Sequence, residues 1–189
     1  MILNSPSNPS GMVYAQEELQ AIGQILIEKG IFCISDEIYE KIIYDGLKHI
    51  SMASLGPEIK GLTVVITVVI NGVSKSYSMT CWRIGYAAGP REIIQATTNL
   101  QDHSTSNPTS ISQKAALAAL KGPQETLFNM VAEFARRRDY IVEGLNTIEG
   151  ISCLRPQGVF YVFPEVSPIL KKTFGKEMIK DSSHLPRSY

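Results

Sequence analysis

A lysine and an arginine eight positions apart are the residues with the most evident chemistry in this sequence. Lys75 and Arg83 lie in a polar stretch, NGVSKSYSMTCWRIG, at residues 71–85. An apolar run at residues 62–70 precedes it and a short apolar segment at residues 84–88 follows, which predicts a loop at a strand end. A lysine partly buried there loses its proton readily and can form a Schiff base with an aldehyde. The planar guanidinium of Arg83 suits a phosphate group.

Two other polar segments are predicted to lie beside this loop. SPSNPSG, at residues 5–11, is dense in turn-forming residues, and DEIYE, at residues 36–40, follows a short apolar run at residues 31–35. Between them, residues 16–30 have apolar side chains at helical spacing and end in Gly30, which predicts an amphipathic helix. Strand, helix and strand form a βαβ crossover, and ligands bind at the carboxyl ends of such strands.

The motifs together are more informative than any single residue. Taken alone, Lys75 and Arg83 are better explained as solvated surface charges than as a site, because most lysines and arginines are solvated surface charges. The whole pattern, however, resembles the cofactor-lysine signature of the class I and II pyridoxal-phosphate aminotransferases. DEIYE and the asparagine–proline loop resemble two further motifs of that family, in the expected order. The matching positions of the lysine signature are Gly72, Val73, Ser74, Lys75, Ser78, Met79, Arg83, Ile84 and Gly85.

The resemblance implies roles for five residues. Lys75 would form the internal aldimine with pyridoxal 5'-phosphate, and Arg83 would hold the phosphate. Asp36 would keep the pyridine nitrogen protonated, while Tyr39 and Asn8 would bind the phenolic oxygen of the cofactor. After exchange with an amino-acid substrate, the freed Lys75 amine would shuttle the proton between Cα and the cofactor carbon.

Each of these roles has a purely structural alternative. Asp36 could be a helix N-cap, Tyr39 a half-buried aromatic and Asn8 an ordinary turn residue. The resemblance further implies a cis peptide bond before Pro9. One position departs from the family, because Cys81 stands where close relatives carry glycine. If that position needs a positive φ, cysteine would cost on the order of 1 kcal/mol of strain.

The resemblance implies an α/β chain in two parts. Residues 1–123 would form the C-terminal half of the large cofactor-binding domain, with a mostly parallel sheet and flanking helices. Residues 124–189 would form the interdomain helix and the beginning of a small α+β domain. The first residues are typical of a strand end and the last of an incomplete helix, so we expect an internal fragment of a longer chain.

Periodicity predicts the remaining elements. The three arginines at residues 136–138 are predicted to lie on a solvated helix face, and the aromatics of PQGVFYVFP, at residues 156–164, in a core. His49 has no ligand-spaced partners and is predicted to be a surface histidine, so no metal site is expected. Helices are predicted at residues 91–100, 113–120 and 124–145, strands at residues 62–70 (with the repeat TVVITVVI), 84–90, 151–154 and 159–163, and a loop with helical turns at residues 41–61.

Composition bears on partners and compartment. Lysine plus arginine and aspartate plus glutamate number 18 each, a net charge of zero, so no electrostatic footprint indicates nucleic acid or an anionic membrane. The three cysteines are widely spaced and odd in number, which argues against a disulfide framework and favours a reducing cytoplasm. No apolar run is long enough for a membrane span.

The resemblance implies transamination in a homodimer, with L-aspartate and 2-oxoglutarate as the first choice of substrates. Aromatic or broad amino-acid specificity is the next choice. Two readings from other classes stay open: a catalytically inactive fragment that keeps only a folding or dimerisation role, and an unrelated doubly wound domain that binds a nucleotide. The second has little support, because no G-x-G-x-x-G or P-loop follows any predicted strand.

Overall fold

The four-stranded sheet at the centre of the molecule is mostly parallel. The computed structural model describes residues 1–60, 67–170, 173–174, 177–178 and 181. The sheet has the order β1-β2-β3-β4, in which β1, β2 and β3 run parallel and β4 pairs antiparallel with β3. This arrangement confirms the predicted α/β class. The strands are β1 (Ile2–Asn4), β2 (Cys33–Asp36), β3 (Thr67–Gly72) and β4 (Gly85–Ala88).

Five helices accompany the sheet in the described part of the chain, and each long one lies where periodicity predicts it. None of these helices is long and apolar enough to cross a membrane. Short 3-10 turns occur at Met52–Ser54, Thr80–Trp82 and Ser167–Ile169, and a small antiparallel pair consists of β5 (Thr173–Phe174) and β6 (Glu177–Met178). The helices are α1 (Gln16–Lys29), α2 (Pro57–Lys60), α3 (Arg91–Ser104), α4 (Ser110–Lys121) and α5 (Glu125–Asn146).

Helix α1 joins β1 to β2 and covers one face of the sheet. Its apolar stripe buries Leu19 and Leu26, each worth about 1.5–3 kcal/mol relative to an exposed side chain. Gly30 ends the helix as predicted, with φ +61° and its N–H directed to Ile27 O. The buried members of this first core are Leu3, Leu19, Leu26, Cys33, Met52 and Ile59.

A second core lies between α5 and the chain that follows β2. The buried residues Tyr39, Ile42, Tyr44 and Val159 form its centre. One face of α5 packs against them, because its apolar side chains recur at helical spacing. The residues of α5 in this contact are Met130, Val131, Phe134 and Ala135. Helix α5 therefore supports the loop that carries Tyr39.

The prediction of strands at residues 151–154 and 159–163 is wrong. Only isolated bridges form there, between Ser152 and Glu165 and between Ile43 and Gly158. The backbone after Gly158 bonds to the loop that follows β2, and Val159 has φ +56°, so no extended strand continues. Within the predicted strand at residues 62–70, residues 67–70 belong to β3. The rest of that prediction, and the first half of its repeat, lie outside the described residues.

The prediction of a solvated face for three arginines is wrong for Arg138. Arg136 and Arg137 are exposed and bind Glu133, but Arg138 is only 5% exposed. Successive residues on a helix are rotated by about 100°, so the third arginine faces the second core together with Phe134.

Arg138 is buried because its donors are satisfied. Its two terminal nitrogens lie 2.8 and 3.0 Å from the carboxylate oxygens of Asp45, and Nη1 also donates to Pro156 O at 3.1 Å. Its Nε donates to Asp139, and the guanidinium lies over the Tyr44 ring, 4.6 Å from the centroid. The hydrogen bond from Arg138 lowers the pKa of Asp45. This ion pair joins α5 to the loop after β2.

The prediction that His49 is a surface residue is also wrong. Its side chain is only 10% exposed, and its Nε2 lies 2.8 Å from Oε2 of the buried Glu37. The other oxygen of Glu37 accepts from Ser35 Oγ, Ser51 Oγ and the Met52 N–H. Burial by itself raises the pKa of Glu37, but the hydrogen bonds from His49 and the two serines outweigh it and lower that pKa.

Glu37, His49 and Glu40 bring three possible metal-ligand atoms within 4.8 Å of one another. Both oxygens of Glu37, however, already have hydrogen-bond partners within the protein. We therefore assign Glu37 and His49 a structural role, in which they tie the chain around residue 50 to the end of β2.

Replacing Glu37 with glutamine is expected to lower the free energy of unfolding at pH 7 by about 2–3 kcal/mol, because buried donors lose their charged acceptor. Urea denaturation measures this loss, with the exposed Glu143→Gln as the matched control, expected within about 0.5 kcal/mol of wild type. The folded-state pKa of Glu37 is below its ordinary value of 4.5, so the contribution of the carboxylate to the free energy of unfolding is complete above that pH. The contribution is lost as the pH falls through the folded-state pKa, and the gap between the proteins should shrink. A gap that is unchanged down to pH 3 would contradict this account.

Candidate active site

Three segments that leave the carboxyl ends of parallel strands meet at one edge of the sheet. The register pairs Asn4 with Asp36 and Asp36 with Ile70, so β1, β2 and β3 end side by side. Asn4 joins two of these segments, because its Nδ2 donates to Asp36 O at 3.2 Å and its Oδ1 accepts from the Asn8 N–H at 2.7 Å. The loops of Asn8, Asp36 and Lys75 therefore emerge at the same edge.

Asp36 is the last residue of β2 and is half-buried. Its Oδ1 accepts from the Ile38 N–H at 3.3 Å, which is the capping type of interaction that the sequence offered as the structural alternative. This bond engages one carboxylate oxygen. Within the described residues, no hydrogen bond reaches the other oxygen, so the carboxylate can accept a further donor.

Tyr39 is almost fully buried, at 3% exposed. Its hydroxyl oxygen lies 2.8 Å from that of Tyr161. Burial raises the pKa of Tyr39, and so do the hydrogen bond to Tyr161 and the charge of Asp36, whereas the side chain of Asn8 acts in the opposite direction. The fold thus brings together Asp36, Tyr39 and Asn8, although Asn8 itself is exposed. Both Ser5–Pro6 and Asn8–Pro9 are cis, and the second confirms the expectation for Pro9.

Lys75 lies three residues beyond the end of β3 and is half-buried. Its Nζ is 5.8 Å from the ring centroids of both Tyr39 and Phe160. No hydrogen bond or ion pair joins its amine to another described residue. A cavity of about 480 Å³ opens beside Lys75, and its lining includes the hydroxyl residues Ser74, Ser78 and Thr80. The amine is therefore accessible to a small molecule.

The strand end before Lys75 requires a small residue at position 72. A Cβ at Gly72 would lie 3.0 Å from Gly85 Cα and 3.1 Å from Ile38 Cδ1, so β3 and β4 approach closely at this point. A larger side chain at position 72 would crowd both of these neighbours. Ser76 is buried next to Lys75 in sequence, and its Oγ has no hydrogen-bond partner among the described residues.

Arg83 lies at the exposed end of the same loop. Its Nη1 donates to Thr80 O at 3.2 Å, and the described structure shows no contact of its guanidinium with Lys75 or Asp36. Arg83 has φ +50° and Ser78 has φ +54°, whereas Cys81 lies in the Thr80–Trp82 turn without a positive φ. Strain at Cys81 therefore does not arise, because in this loop the left-handed conformation occurs at Ser78 and Arg83 instead.

Sequence reasoning missed two aromatic residues of the site, Phe160 and Tyr161. Both were assigned to a core, but Phe160 is 39% exposed and faces the Lys75 amine, and Tyr161 bonds to the Tyr39 hydroxyl. The signal available in the sequence was the phenol itself, because a buried tyrosine hydroxyl needs a polar partner.

Comparison with known proteins agrees with the predicted family. The family model for aminotransferase class I and II matches residues 1–185. The chain is 56% identical over 164 residues to an aspartate aminotransferase of Geobacillus stearothermophilus, covering 87% of this chain and 41% of that protein. It is 43% identical over 185 residues to an aspartate/prephenate aminotransferase of Nitrosomonas europaea, covering 97% and 46%.

Solved structures give the same result. The crystal structure of an aspartate aminotransferase from Rhizobium meliloti matches with a TM-score of 0.91 at 43% identity, covering 96% of this chain and 45% of that one. An aromatic aminotransferase from Pyrococcus horikoshii matches with a TM-score of 0.80 at 37% identity, covering 86% and 43%. The chain thus spans less than half the length of these relatives. Because the family model matches nearly the whole chain and solved aminotransferase structures share its fold, the chain belongs to the class I and II aminotransferase family.

Proposed function

We propose that this chain carries the cofactor-lysine site of a pyridoxal-phosphate-dependent aminotransferase, which transfers an amino group between an L-amino acid and a 2-oxo acid. The observation that carries the proposal is the position of the Lys75 amine. It has no partner among the described residues, borders a cavity, and lies 5.8 Å from the ring of the buried Tyr39. Asp36 ends the neighbouring strand at the same edge of the sheet.

The donor set fits pyridoxal 5'-phosphate. An amine, a carboxylate, a phenol and an amide emerge at one sheet edge, and these are the groups that an aldehyde-bearing hydroxypyridine requires. Ser76 Oγ adds a buried hydroxyl with no partner in the described part of the chain. The weakest element is Arg83, which is exposed and contacts only Thr80 O. A phosphate held there would be bound at the rim of the site.

Each residue has a distinct task in this proposal. Bound pyridoxal phosphate supplies an aldehyde and an electron-accepting pyridine ring. Lys75 binds the aldehyde and, once displaced by a substrate amine, moves the proton from the substrate Cα. Asp36 holds the proton on the ring nitrogen, since a charge-assisted hydrogen bond favours the protonated form. Tyr39 and Asn8 donate to the phenolic oxygen, and Arg83 binds the phosphate.

For the substrates, L-aspartate with 2-oxoglutarate is our first choice. The support is that several relatives above 50% identity are named aspartate aminotransferases. Aromatic or broad specificity is the alternative, since other relatives are named aspartate/prephenate and aromatic aminotransferases. We further propose residues 1–123 as part of the large domain and 124–189 as the interdomain helix with the start of the small domain. A cytoplasmic homodimer completes the proposal.

A second candidate is a catalytically inactive chain that keeps only a folding or dimerisation role. The observation in its favour is that the named activities belong to relatives more than twice as long as the matched segment, since the chain covers 41–46% of them. The residues that bind pyridoxal phosphate would then persist without turnover.

Covalent labelling tests the site directly. We expect the chain, incubated with pyridoxal phosphate and reduced with borohydride, to carry the pyridoxyl group on Lys75, because that amine borders the cavity and is half-buried. Peptide mapping by mass spectrometry locates the label, and Lys75→Arg should abolish it while the exposed Lys41→Arg leaves it unchanged. A label mainly on Lys41 or Lys48 would overturn the assignment.

Replacing Asp36 with asparagine tests the role of the carboxylate. The variant should still bind pyridoxal phosphate but should lose about two powers of ten in transamination rate, since a charge-assisted bond in a dry site is worth about 3 kcal/mol. The rate is measured with L-aspartate and 2-oxoglutarate, in protein that has first been shown to transaminate. The exposed Asp102→Asn on α3 is the matched control. Activity of the Asp36 variant within a few-fold of wild type would remove this role.

Half-reactions separate the two candidate functions. After pyridoxal phosphate has bound to the 189-residue chain, L-aspartate is added and conversion to the pyridoxamine form is followed by absorbance. We expect conversion far slower than in full-length relatives, because the chain covers less than half of their length and positioning of the substrate can supply about 7 kcal/mol or more of such catalysis. A rate like that of full-length relatives would contradict the inactive-chain alternative, and labelling without any conversion would support it.

A further inference from the structure

Tyr161 brings a second phenol to the buried hydroxyl of Tyr39 from 122 residues away in the sequence. The two hydroxyl oxygens lie 2.8 Å apart, and either can donate. Their rings are nearly perpendicular, with centroids 5.9 Å apart and an interplanar angle of 79°. This edge-to-face geometry is a favourable one for aromatic pairs. The contact therefore combines a hydrogen bond with a ring contact.

The segment that carries Tyr161 is attached to the loop that leaves β1. The backbone N–H groups of Gln157 and Gly158 both donate to Gly11 O at 2.9 Å. Gly11 has φ +71°, and a Cβ there would lie 2.4 Å from Pro156 Cβ. Only glycine allows this close approach. Backbone hydrogen bonds therefore help to place the segment of Tyr161 near Tyr39, in addition to the contact between the two tyrosine side chains.

The same segment is attached to the loop that leaves β2. Tyr44 N–H donates to Gln157 O and Val159 N–H donates to Ile42 O, both at 2.9 Å, and the Tyr44 hydroxyl donates to Val159 O. Val159 has φ +56°, an unusual conformation for a β-branched residue. Such strain persists only where the surrounding contacts over-determine the conformation. These hydrogen bonds hold the backbone at residues 157–159 in place, and Tyr161 follows two residues later.

The Tyr39 hydroxyl has its best-defined hydrogen-bond partner in Tyr161, at 2.8 Å. The Asn8 side chain also forms a hydrogen bond that lowers the pKa of Tyr39, Asp36 acts through its charge, and the Lys75 amine lies 5.8 Å from the ring centroid. Phe160 packs against both rings, with centroids 5.6 Å from Tyr39 and 4.8 Å from Tyr161. A phenol O–H rotates unless a partner fixes it, so the direction of this proton depends on Tyr161.

We propose that Tyr161 is a positioning residue, which orients the Tyr39 hydroxyl so that Tyr39 can donate to the phenolic oxygen of bound pyridoxal phosphate. The proposal rests on the proposed function of the Lys75 site. In this proposal Tyr161 acts through Tyr39, although its side chain also lines the cavity beside Lys75. Its hydroxyl, and not its ring, is the part that matters, which makes Tyr161→Phe the informative variant.

The first experiment uses the chain without cofactor. With ring-labelled tyrosine, the Cζ resonance of Tyr39 is identified by its loss in Tyr39→Phe and then compared in wild type and Tyr161→Phe at neutral pH. We expect the resonance to move, because its shift reports the hydrogen bond at the hydroxyl. Tyr140→Phe, at a residue that is 79% exposed, is the matched control and should leave it in place. A Tyr39 resonance unaffected by Tyr161→Phe would overturn the proposal.

The second experiment uses bound pyridoxal phosphate and a double-mutant cycle. Tyr161→Phe should weaken cofactor binding roughly 3- to 10-fold, the value of about one hydrogen bond, and should raise the pH at which the bound-cofactor absorbance changes. In a Tyr39→Phe background the same change should have no further effect, since Tyr161 acts through Tyr39. Equal effects in both backgrounds would indicate a merely structural role and would overturn the proposal. Failure of wild type to carry the pyridoxyl label on Lys75 would overturn the proposed function instead, and the first experiment distinguishes the two failures.

Discussion

The parallel pairing of β1, β2 and β3 is the constraint on which the candidate site depends. Because parallel strands end at one edge, their following loops deliver Asn8, Asp36 and Lys75 to the same place. Asn4 reinforces this arrangement by bonding to the end of β2 and to the Asn8 N–H. The antiparallel β4 adds a close backbone contact at Gly72 and Gly85, the two glycines that flank the Lys75 loop.

The second requirement is that the loop after β2 be rigid, since it carries Tyr39. Two buried charged groups hold it, and both have their partners inside the protein. Near the start of the loop, Glu37 accepts hydrogen bonds from Ser35 and Ser51 and contacts His49. Near its end, Arg138 of α5 forms two hydrogen bonds with Asp45. Buried charges are tolerated only when paired and hydrogen-bonded. These pairs therefore contribute orientation to the site as well as stability.

Local sequence patterns predicted a large part of the fold and the polar residues of the site. Helix α1 and its Gly30 end, the long α5, and the loop positions of Asn8, Asp36 and Lys75 all follow from periodicity and turn residues within a few positions of one another. Such features depend on short-range sterics and on the burial of one helix face. Helical spacing from Phe134 places Arg138 on the buried face of α5, but whether an arginine is tolerated there depends on where Asp45 lies.

The sequence by itself determined the βαβ framework, the family motifs and the loop that carries Lys75, because short-range backbone preferences and residue chemistry set all of these. Only the tertiary structure decided the partner of the Tyr39 hydroxyl. The 122 residues between Tyr39 and Tyr161 place no local constraint on their contact. That contact instead follows from backbone hydrogen bonds to Gly11 and Ile42 and from the positive φ of Val159. These bonds replace the strand predicted at residues 159–163, because the chain finds its partners in loops and not in a neighbouring strand.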